Sequence, residues 1–583
     1  MSRGPHWLID SRRMPTSCRS AVRGRAVRLF AERSLGMSHV HPTESSRNGP
    51  PGATSDSTSS PLRPFRYPVY RWLWIAAVVA NIGDWMYNAA AGWLMTSLSP
   101  SPLMVSLVQV ATSLPMFLFA LPAGALADII DKRRFILVLE LLFTLAAVLF
   151  AAIVSTKTVT PRVLLLFMFL IGTVAALEAP AWQAIVPQLV PKEDLGSAVA
   201  ANSVGINISR AIGPALAGII IAGFGIAAPF WLVAVSNLGV IGLFWWWRSR
   251  QPLPQSMPAE RVTSAIRTGL RYARYNHRLR ATLARSVGFF LFASAYWALL
   301  PILARNQVGG GPELYGILLG AIGAGAVGGA FVLPKLKAKI GPNLLVAAAE
   351  IGTATSLILF GLSREPVLAV LASLIAGMCW IAALANLNVS AQIALPDWVR
   401  GRGLAMYVTV FFGTMTIGSA LWGELATAMG LPLTHFIAAG GALLVAPLTS
   451  RWTLQTRAKI DLTPSMHWPE PVVIQPVETD KGPVMVTVEY RIASENREAF
   501  LSAIERLANE RRRDGAYAWG IFQDTADAGR FVETFFLESW FEHLRQHRRV
   551  TNADRVLEQH VHQYVREPPI VTHFIGAQTD QQQ

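Results

Sequence analysis

Cysteine is nearly absent: Cys18 and Cys379 are the two in 583 residues, which rules out a disulfide framework and leaves no thiolate metal site. Charge is scarce as well. Asp, Glu, Lys and Arg make up 15% of the chain and hydrophobic residues 52%, whereas soluble domains carry about 25% charged residues. No Walker-type Gly-Lys-Ser/Thr loop occurs, so the sequence offers no such cradle for ATP phosphates and points away from an ATP-driven pump. Acidic residues are outnumbered, 36 against 51 basic ones, giving a formal charge of +15. Such a surplus suits either nucleic acid or anionic lipid. Here the basic residues flank apolar runs, so the partner is the lipid bilayer and not nucleic acid.

Those runs fill the region from Arg71 to Trp452, while both ends are polar. A helix rises 1.5 Å per residue and needs roughly 20 apolar residues to cross about 30 Å of hydrocarbon, so this region holds about twelve spans. They fall near residues 71–97, 103–127, 134–155, 162–187, 196–222, 228–247, 281–304, 313–334, 342–362, 366–393, 403–428 and 433–451. Lys132, Arg133, Arg134, Lys192, Lys335, Lys337, Lys339, Arg400 and Arg402 lie in the even-numbered connections, as does the Arg-rich stretch 248–280. The odd-numbered ones carry Lys157, Arg162, Arg305 and Arg364. By the positive-inside rule both termini face the cytoplasm. The expected layout is a basic disordered tail at 1–62, a first six-helix half at 63–247 and a cytoplasmic linker at 248–280. A second six-helix half at 281–455, a further linker at 456–482 and a soluble domain at 483–577 complete it. Met37 is a second candidate start. In the middle linker, Val262, Ile266 and Leu270 recur at helical spacing among Arg261, Arg267, Arg271 and Arg274, which describes either an amphipathic helix on anionic lipid or a simple tether.

The two sets of six spans are related by an internal repeat with one offset of 205 residues, as from Gly83 to Gly288. Gly124 meets Gly329, Gly172 meets Gly377, Pro191 meets Pro396 and Gly196 meets Gly401. Ile212, Gly213, Ala215, Leu216 and Gly218 meet Ile417, Gly418, Ala420, Leu421 and Gly423. Two like halves enclose a site between them and can rock about it, which is how secondary transporters alternate access.

Polar residues inside spans are the candidate working parts, since a charge at the bilayer centre costs at least about 2.5 to 3.5 kcal/mol on insertion scales. Asn81, Asp84 and Asn88 share one face of the first span; Ser203, Asn207 and Arg210 share one face of the fifth. Asp84 is a candidate proton carrier, and Arg210 a permanent charge that could couple protonation to substrate binding. A static ion pair between the two, or an Asp capping a helix break, is the alternative. Glu178 precedes Ala-Pro180-Ala-Trp182-Gln183 on a kinked fourth span. Glu350 and Glu424 are further acidic residues, Asn386, Asn388 and Gln392 are hydrogen-bonding ones, and Tyr296 and Trp297 offer aromatic surface, packing being the competing role for each.

Between the second and third spans the chain reads Gly124-Ala-Leu-Ala-Asp128-Ile-Ile-Asp131-Lys132-Arg133-Arg134, which resembles the loop signature of the major facilitator superfamily. The resemblance implies that Gly124, Asp128, Lys132 and Arg133 form a gating loop in which Asp128 caps a neighbouring helix. Ile129 and Asp131 depart from the pattern, standing where the family has Arg and Gly. Gly205, Gly213, Pro214 and Gly218 on the fifth span resemble the superfamily's antiporter element, with ordinary helix packing as the plainer reading. Together with Asn81-Ile-Gly-Asp84-Trp-Met and Ala-Pro180-Ala-Trp182-Gln183-Ala-Ile-Val-Pro187, these residues resemble the bacterial transmembrane secretion effector branch, similar to enterobactin exporters, over residues 63 to 455. That implies a twelve-span all-α membrane fold of two pseudo-symmetric halves. It also implies proton antiport and export of drugs or siderophore-like small molecules across the inner membrane, without a cofactor. Import of a nutrient is the alternative.

After Pro471 the character changes. Val484 to Tyr490 and Arg530 to Glu538 read as strands and Glu495 to Arg512 as an amphipathic helix. Gly515-Ala-Tyr-Ala-Trp519 and Ser539-Trp540-Phe-Glu-His543-Leu-Arg-Gln-His547-Arg resemble small antibiotic-biosynthesis monooxygenase domains, which implies a ferredoxin-like α+β plan and a homodimer through the sheets. An enzyme pocket with His543, His547, Trp519 or Trp540 is one reading. An exposed polar helix face with no catalytic or metal site, on a regulatory or oligomerising module, is the other, and it is the reading adopted.

Overall fold

The computed structural model describes residues 62–247, 262–455, 461–468, 471 and 481–576. The side chains at 125, 127–129, 184, 192 and 262–266 lie outside that description. So do the expected N-terminal tail and most of the 456–482 linker.

Among the described residues, twelve α-helices precede the first strand. In the first half these are α1 (Pro68–Leu98), α2 (Pro102–Ile129), α3 (Lys132–Ser155), α4 (Pro161–Leu189), α5 (Leu195–Phe224) and α6 (Ala228–Trp246). Then come α7 (Val262–Tyr275), α8 (His277–Ile302), α9 (Pro312–Leu362), α10 (Pro366–Ile393), α11 (Arg400–Met429) and α12 (Leu431–Ser450). Proline opens five of them, Pro68, Pro102, Pro161, Pro312 and Pro366, where a missing N–H costs nothing and φ is already helical. Among the described residues, ten helices are long and apolar enough to cross a membrane. One of those, α9, is two helices joined at Gly341, whose φ of 76° breaks the run. The 31-residue α1, which carries Arg71 and Asp84, falls outside the ten yet packs within the bundle against α5 and α6. Counting α1 and both parts of α9, the bundle has twelve members of membrane-crossing length.

The repeat is visible in the backbone. Gly225 ends α5 with φ 85° and Gly430 ends α11 with φ 83°, positions that are again 205 apart and that only glycine adopts without strain.

The linker helix α7 is neither a loose tether nor a free amphipathic helix. Its Tyr272 is 1% exposed, meeting the Trp398 ring edge-on at 5.7 Å and the Arg513 guanidinium at 5.5 Å. It is therefore packed between the loop preceding α11 and the C-terminal domain.

That domain consists of β1 (Val484–Arg491), α13 (Arg497–Arg513), β2 (Tyr517–Gln523), β3 (Arg530–Leu537), α14 (Trp540–Arg549), α15 (Asn552–His562) and β4 (Ile570–Ile575). The sheet order is β2-β3-β1-β4 with every neighbouring pair antiparallel, which is the ferredoxin-like arrangement. Strict alternation on β1 buries Val484, Val486, Val488 and Tyr490 against Phe500, Ile504 and Leu507 of α13. Its register places Met485 between Phe536 and Phe574 on the opposite face.

Candidate functional site

The two halves of the bundle meet along two seams built from small residues. On one, a Cβ added to Gly218 of α5 would lie 2.7 Å from the Pro312 carbonyl of α9, and one on Gly323 would lie 2.6 Å from Ala211 Cα. On the other, a Cβ on Gly423 of α11 would overlap Ser106 of α2, and one on Gly413 would lie 2.7 Å from the Phe117 ring. Ser113 and Thr416 share a 2.8 Å hydrogen bond across this seam. At the end where α1 finishes and α2 and α9 begin, Arg305 donates to Thr96 and Ser97 at 3.1 and 2.7 Å, and the Trp93 and Tyr315 rings stack. At the opposite end, which carries the basic connections, Gly124, Gly196 and Gly401 face open space. The halves thus meet closely at the end where α1 finishes. On α1, every residue from Met86 to Thr96 but Asn88 is buried, whereas Asp84 is exposed.

Beside Asp84 the first half assembles a carboxyl cluster. Glu140 of α3, 5% exposed, accepts a 2.8 Å hydrogen bond from Asn237 Nδ2 of α6, which also reaches Thr144 Oγ1 at 2.9 Å. Glu178 of α4 accepts from Trp182 Nε1 one turn on. The Glu140 and Glu178 carboxyl groups are neighbours, and Asp84 lies within electrostatic reach of both. Two neighbouring carboxyl groups repel when both are ionised, which makes this pair a candidate to hold a proton.

Arg210 stands apart from that cluster. Its guanidinium carbon lies 5.2 Å from the centre of the Trp85 ring, and its buried Nε has no hydrogen-bond partner. Among the described residues it forms no ion pair with Asp84, so the static pair is not what the fold builds. It is instead within electrostatic reach of Tyr296 on α8. Trp85 in turn meets Trp297 at 6.2 Å, and Trp297 meets Trp380 at 5.3 Å, so an aromatic wall crosses from the first half to the second. A guanidinium on such a wall attracts anions while the rings offer flat apolar surface.

The remaining polar positions turn inward on their own helices. Asn81 donates to the Ala77 carbonyl, Asn88 to Asp84 and Asn207 to Ser203, each four residues back. Asn88 Oδ1 also accepts from Thr112 of α2 at 3.5 Å. On α10, Gln392 donates to Asn388, and Asn386 is buried with its Oδ1 unmatched.

In the loop after α2 the Asp128 side chain lies outside the described residues. The capping carboxylate that is described is Asp131, which accepts from Arg134 N at 2.9 Å and caps α3 itself. Lys132 opens α3, and Arg133 donates to the Phe244 and Trp245 carbonyls, both at 2.8 Å, neutralising the C-terminal end of α6. The small residues of α5 are packing contacts: a Cβ on Gly205 would lie 2.8 Å from Val78, and one on Gly213 2.7 Å from both the Ile82 carbonyl and Trp85 Cβ of α1. Pro214 lends its carbonyl to the close approach of Gly316 on α9.

Three members of these polar arrangements escaped the sequence reading: Glu140, Asn237 and Arg285. Arg285 of α8 is fully buried, donating to Asn343 at 3.3 Å and lying 4.0 Å from Glu350, which is 2% exposed. A lone charge inside an apolar run was the available signal for Glu140 and Arg285.

In the C-terminal domain, Trp519 donates to the buried Glu533 at 2.8 Å and Trp540 belongs to the core. The expectation of an exposed histidine face is corrected for His543, which is 2% exposed because α14 lays it against the sheet.

Residues 59–581 match the family described as transmembrane secretion effector, a match that runs through both the helical bundle and the C-terminal domain. The chain belongs to the transmembrane secretion effector family. It is a multi-pass membrane transporter. Among curated relatives it is 23% identical over 404 residues to the staphyloferrin A transporter of Staphylococcus aureus, covering 68% of this chain and 99% of that one. It is 26% identical over 385 residues to the enterobactin exporter EntS of Escherichia coli O1:K1, covering 65% and 90%. A peptide transporter of the POT family superposes with a TM-score of 0.55 at 14% identity, over 66% of this chain and 93% of that one. A D-xylose-proton symporter does so with a TM-score of 0.54 at 14% identity, over 67% and 99%. These structural likenesses establish the major facilitator fold for the helical part.

Proposed function

We propose that this transporter is a proton-coupled antiporter that exports siderophore-like small molecules, anionic and rich in aromatic or carboxylate groups, from the bacterial cytoplasm. The observation that supports proton coupling is the neighbouring Glu140 and Glu178 carboxyl groups beside the exposed Asp84. Asp84 exchanges protons with the cluster, while Arg210 and the wall of Trp85, Trp297 and Trp380 receive the substrate's negative charge and rings. The substrate class is supported by the names of the two relatives above. Both termini face the cytoplasm of an inner-membrane protein, as the basic even-numbered connections favour, and the end that carries those connections is then the inner one. The gating role of Gly124, Asp128, Lys132 and Arg133 rests on their place at that end.

The C-terminal domain pairs two copies through its open sheet face, where Tyr517, Phe536, Met485 and Phe574 stand in one cross-strand row.

The experiment uses everted membrane vesicles with a panel of siderophores, dyes and antibiotics, with and without an imposed proton gradient. Gradient-driven accumulation in wild type, abolished in Asp84→Asn, is expected. Gradient-independent flux, or an unimpaired Asp84→Asn, overturns the coupling assignment.

A further inference from the structure

Three histidines converge on the helix-covered face of the C-terminal sheet. His543 and His547 lie one turn apart on α14, and His573 sits on β4 opposite Val486 of β1. Each offers one ring nitrogen, and the three atoms all lie within 4.8 Å of one another. The His543 ring centre is 4.7 Å from that of His547 and 4.6 Å from that of His573. Although His543 is 2% exposed, neither its Nδ1 nor its Nε2 has a hydrogen-bond partner. Unmatched buried polar groups cost on the order of 1 to 3 kcal/mol each, and native interiors satisfy nearly all of them with something.

We propose that His543, His547 and His573 form a binding site for a divalent first-row transition-metal ion. An all-imidazole donor set suits Zn²⁺, Ni²⁺, Cu²⁺ or Fe²⁺ rather than Ca²⁺ or Mg²⁺. Three protein ligands leave a coordination position for water or a small anion. Tetrahedral Zn–N bonds of about 2.0 to 2.1 Å place ligand nitrogens about 3.3 Å apart, so the rings must draw together. His543 is held against Trp540 at 5.1 Å, while the partly exposed His547 and His573 have room to turn toward it. Burial, reinforced by the neighbouring His573 and His547, pushes His543 down to about 3. Burial with His573 and Arg511 takes His547 to about 4, and burial lowers His573. The imidazoles are therefore neutral and keep lone pairs for a metal near pH 7. Arg511, the nearby cation, is already engaged by Glu533 and Glu558. The site does not depend on the transport reading.

The test uses full-length detergent-solubilised protein freed of any affinity tag. Titration with Co²⁺ alone should give the visible absorption of a nitrogen-ligated ion, and dialysis against Zn²⁺ should retain one ion per chain by elemental analysis. His573→Ala should weaken Zn²⁺ binding at least tenfold, about the least that even an outer-sphere partner contributes. His562→Ala on α15, outside the cluster, should bind as wild type does. Wild type that retains no stoichiometric Co²⁺ or Zn²⁺ overturns the proposal by itself. So does undiminished binding in His573→Ala or, should that variant fail to fold, in His547→Gln.

Discussion

Replacing Glu178 by glutamine isolates the proton from the geometry that holds it. The glutamine carbonyl still accepts from Trp182, and its amide can donate to the neighbouring Glu140, so the side chain keeps its place. What is lost is the titratable partner. Two carboxylates about 4 Å apart repel by about 4 kcal/mol at an effective dielectric of 20, a factor on the order of a thousand against losing the shared proton while the pair stays together. With one carboxyl gone, Glu140 keeps two donors, Asn237 and the new amide, and no longer has a second carboxyl with which to share a proton. In everted vesicles Glu178→Gln should then lose gradient-driven accumulation, falling to the level set by passive equilibration. Exchange of internal for external substrate, which needs no net proton movement, should stay within about threefold of wild type, since this change leaves the Arg210 wall untouched. Glu140→Gln should behave alike. If the double variant Glu140→Gln/Glu178→Gln accumulates substrate against the gradient as wild type does, the pair holds no transported proton and the reasoning fails.

Two further outcomes concern the C-terminal domain. Burial pushes the Glu558 carboxyl up, but Arg511 at 2.9 Å, with hydrogen bonds from His467 and Trp468, outweighs it and holds the group down at about 2 from an ordinary 4.5. Because the folded value lies below the unfolded one, its stabilisation, on the order of 3 kcal/mol, is present above about pH 4.5 and is lost as pH falls toward 2. The domain's melting transition, followed by tryptophan fluorescence, should drop across that window in wild type, while Glu558→Gln should be less stable at pH 7 and flatter below pH 4.5. Phe574→Asp places a charge in the row on the open sheet face; if that face pairs two copies, light scattering of the purified protein should shift from dimer to monomer, and an unchanged mass refutes the pairing.

Periodicity and composition carried the fold a long way. Apolar runs marked out the helices because lipid leaves no other use for them, and the 205-residue offset reappears in the matched left-handed Gly225 and Gly430. Alternation of Val484, Val486 and Val488 marked β1. The site was less legible. Spacing within α1 puts Asn81, Asp84 and Asn88 on one face but says nothing of which helix that face meets, and the neighbour proved to be the carboxyl cluster rather than Arg210. Glu140 was hidden inside a span of high hydropathy. His573 lies on a strand whose register against β1, not its distance in sequence from His547, brings it to α14.

Residues that pack and residues that carry charge obey different rules in this chain. Gly213 and Gly418, Gly218 and Gly423, and Gly225 and Gly430 keep the repeat offset, and each of the first four brings two helices into close approach. The charged positions inside the spans do not, although Lys132 and Lys337, and Arg134 and Lys339, keep it in the basic connections. At the same offset Asp84 faces Phe289 in the repeat, Glu140 faces Leu345, Glu178 faces Ala383 and Arg210 faces Met415, while Arg285 and Glu350 correspond to Ala80 and Leu145. A symmetric scaffold is what rocking requires, since both seams must open and close alike. Proton transfer requires no such symmetry. The first half sets two carboxyls beside each other, whereas the second half places its Glu350 near Arg285 and Thr449. A carboxylate near a guanidinium has a countercharge in place; two carboxyls side by side have none. If protons cross this protein, that difference favours a route through the first half.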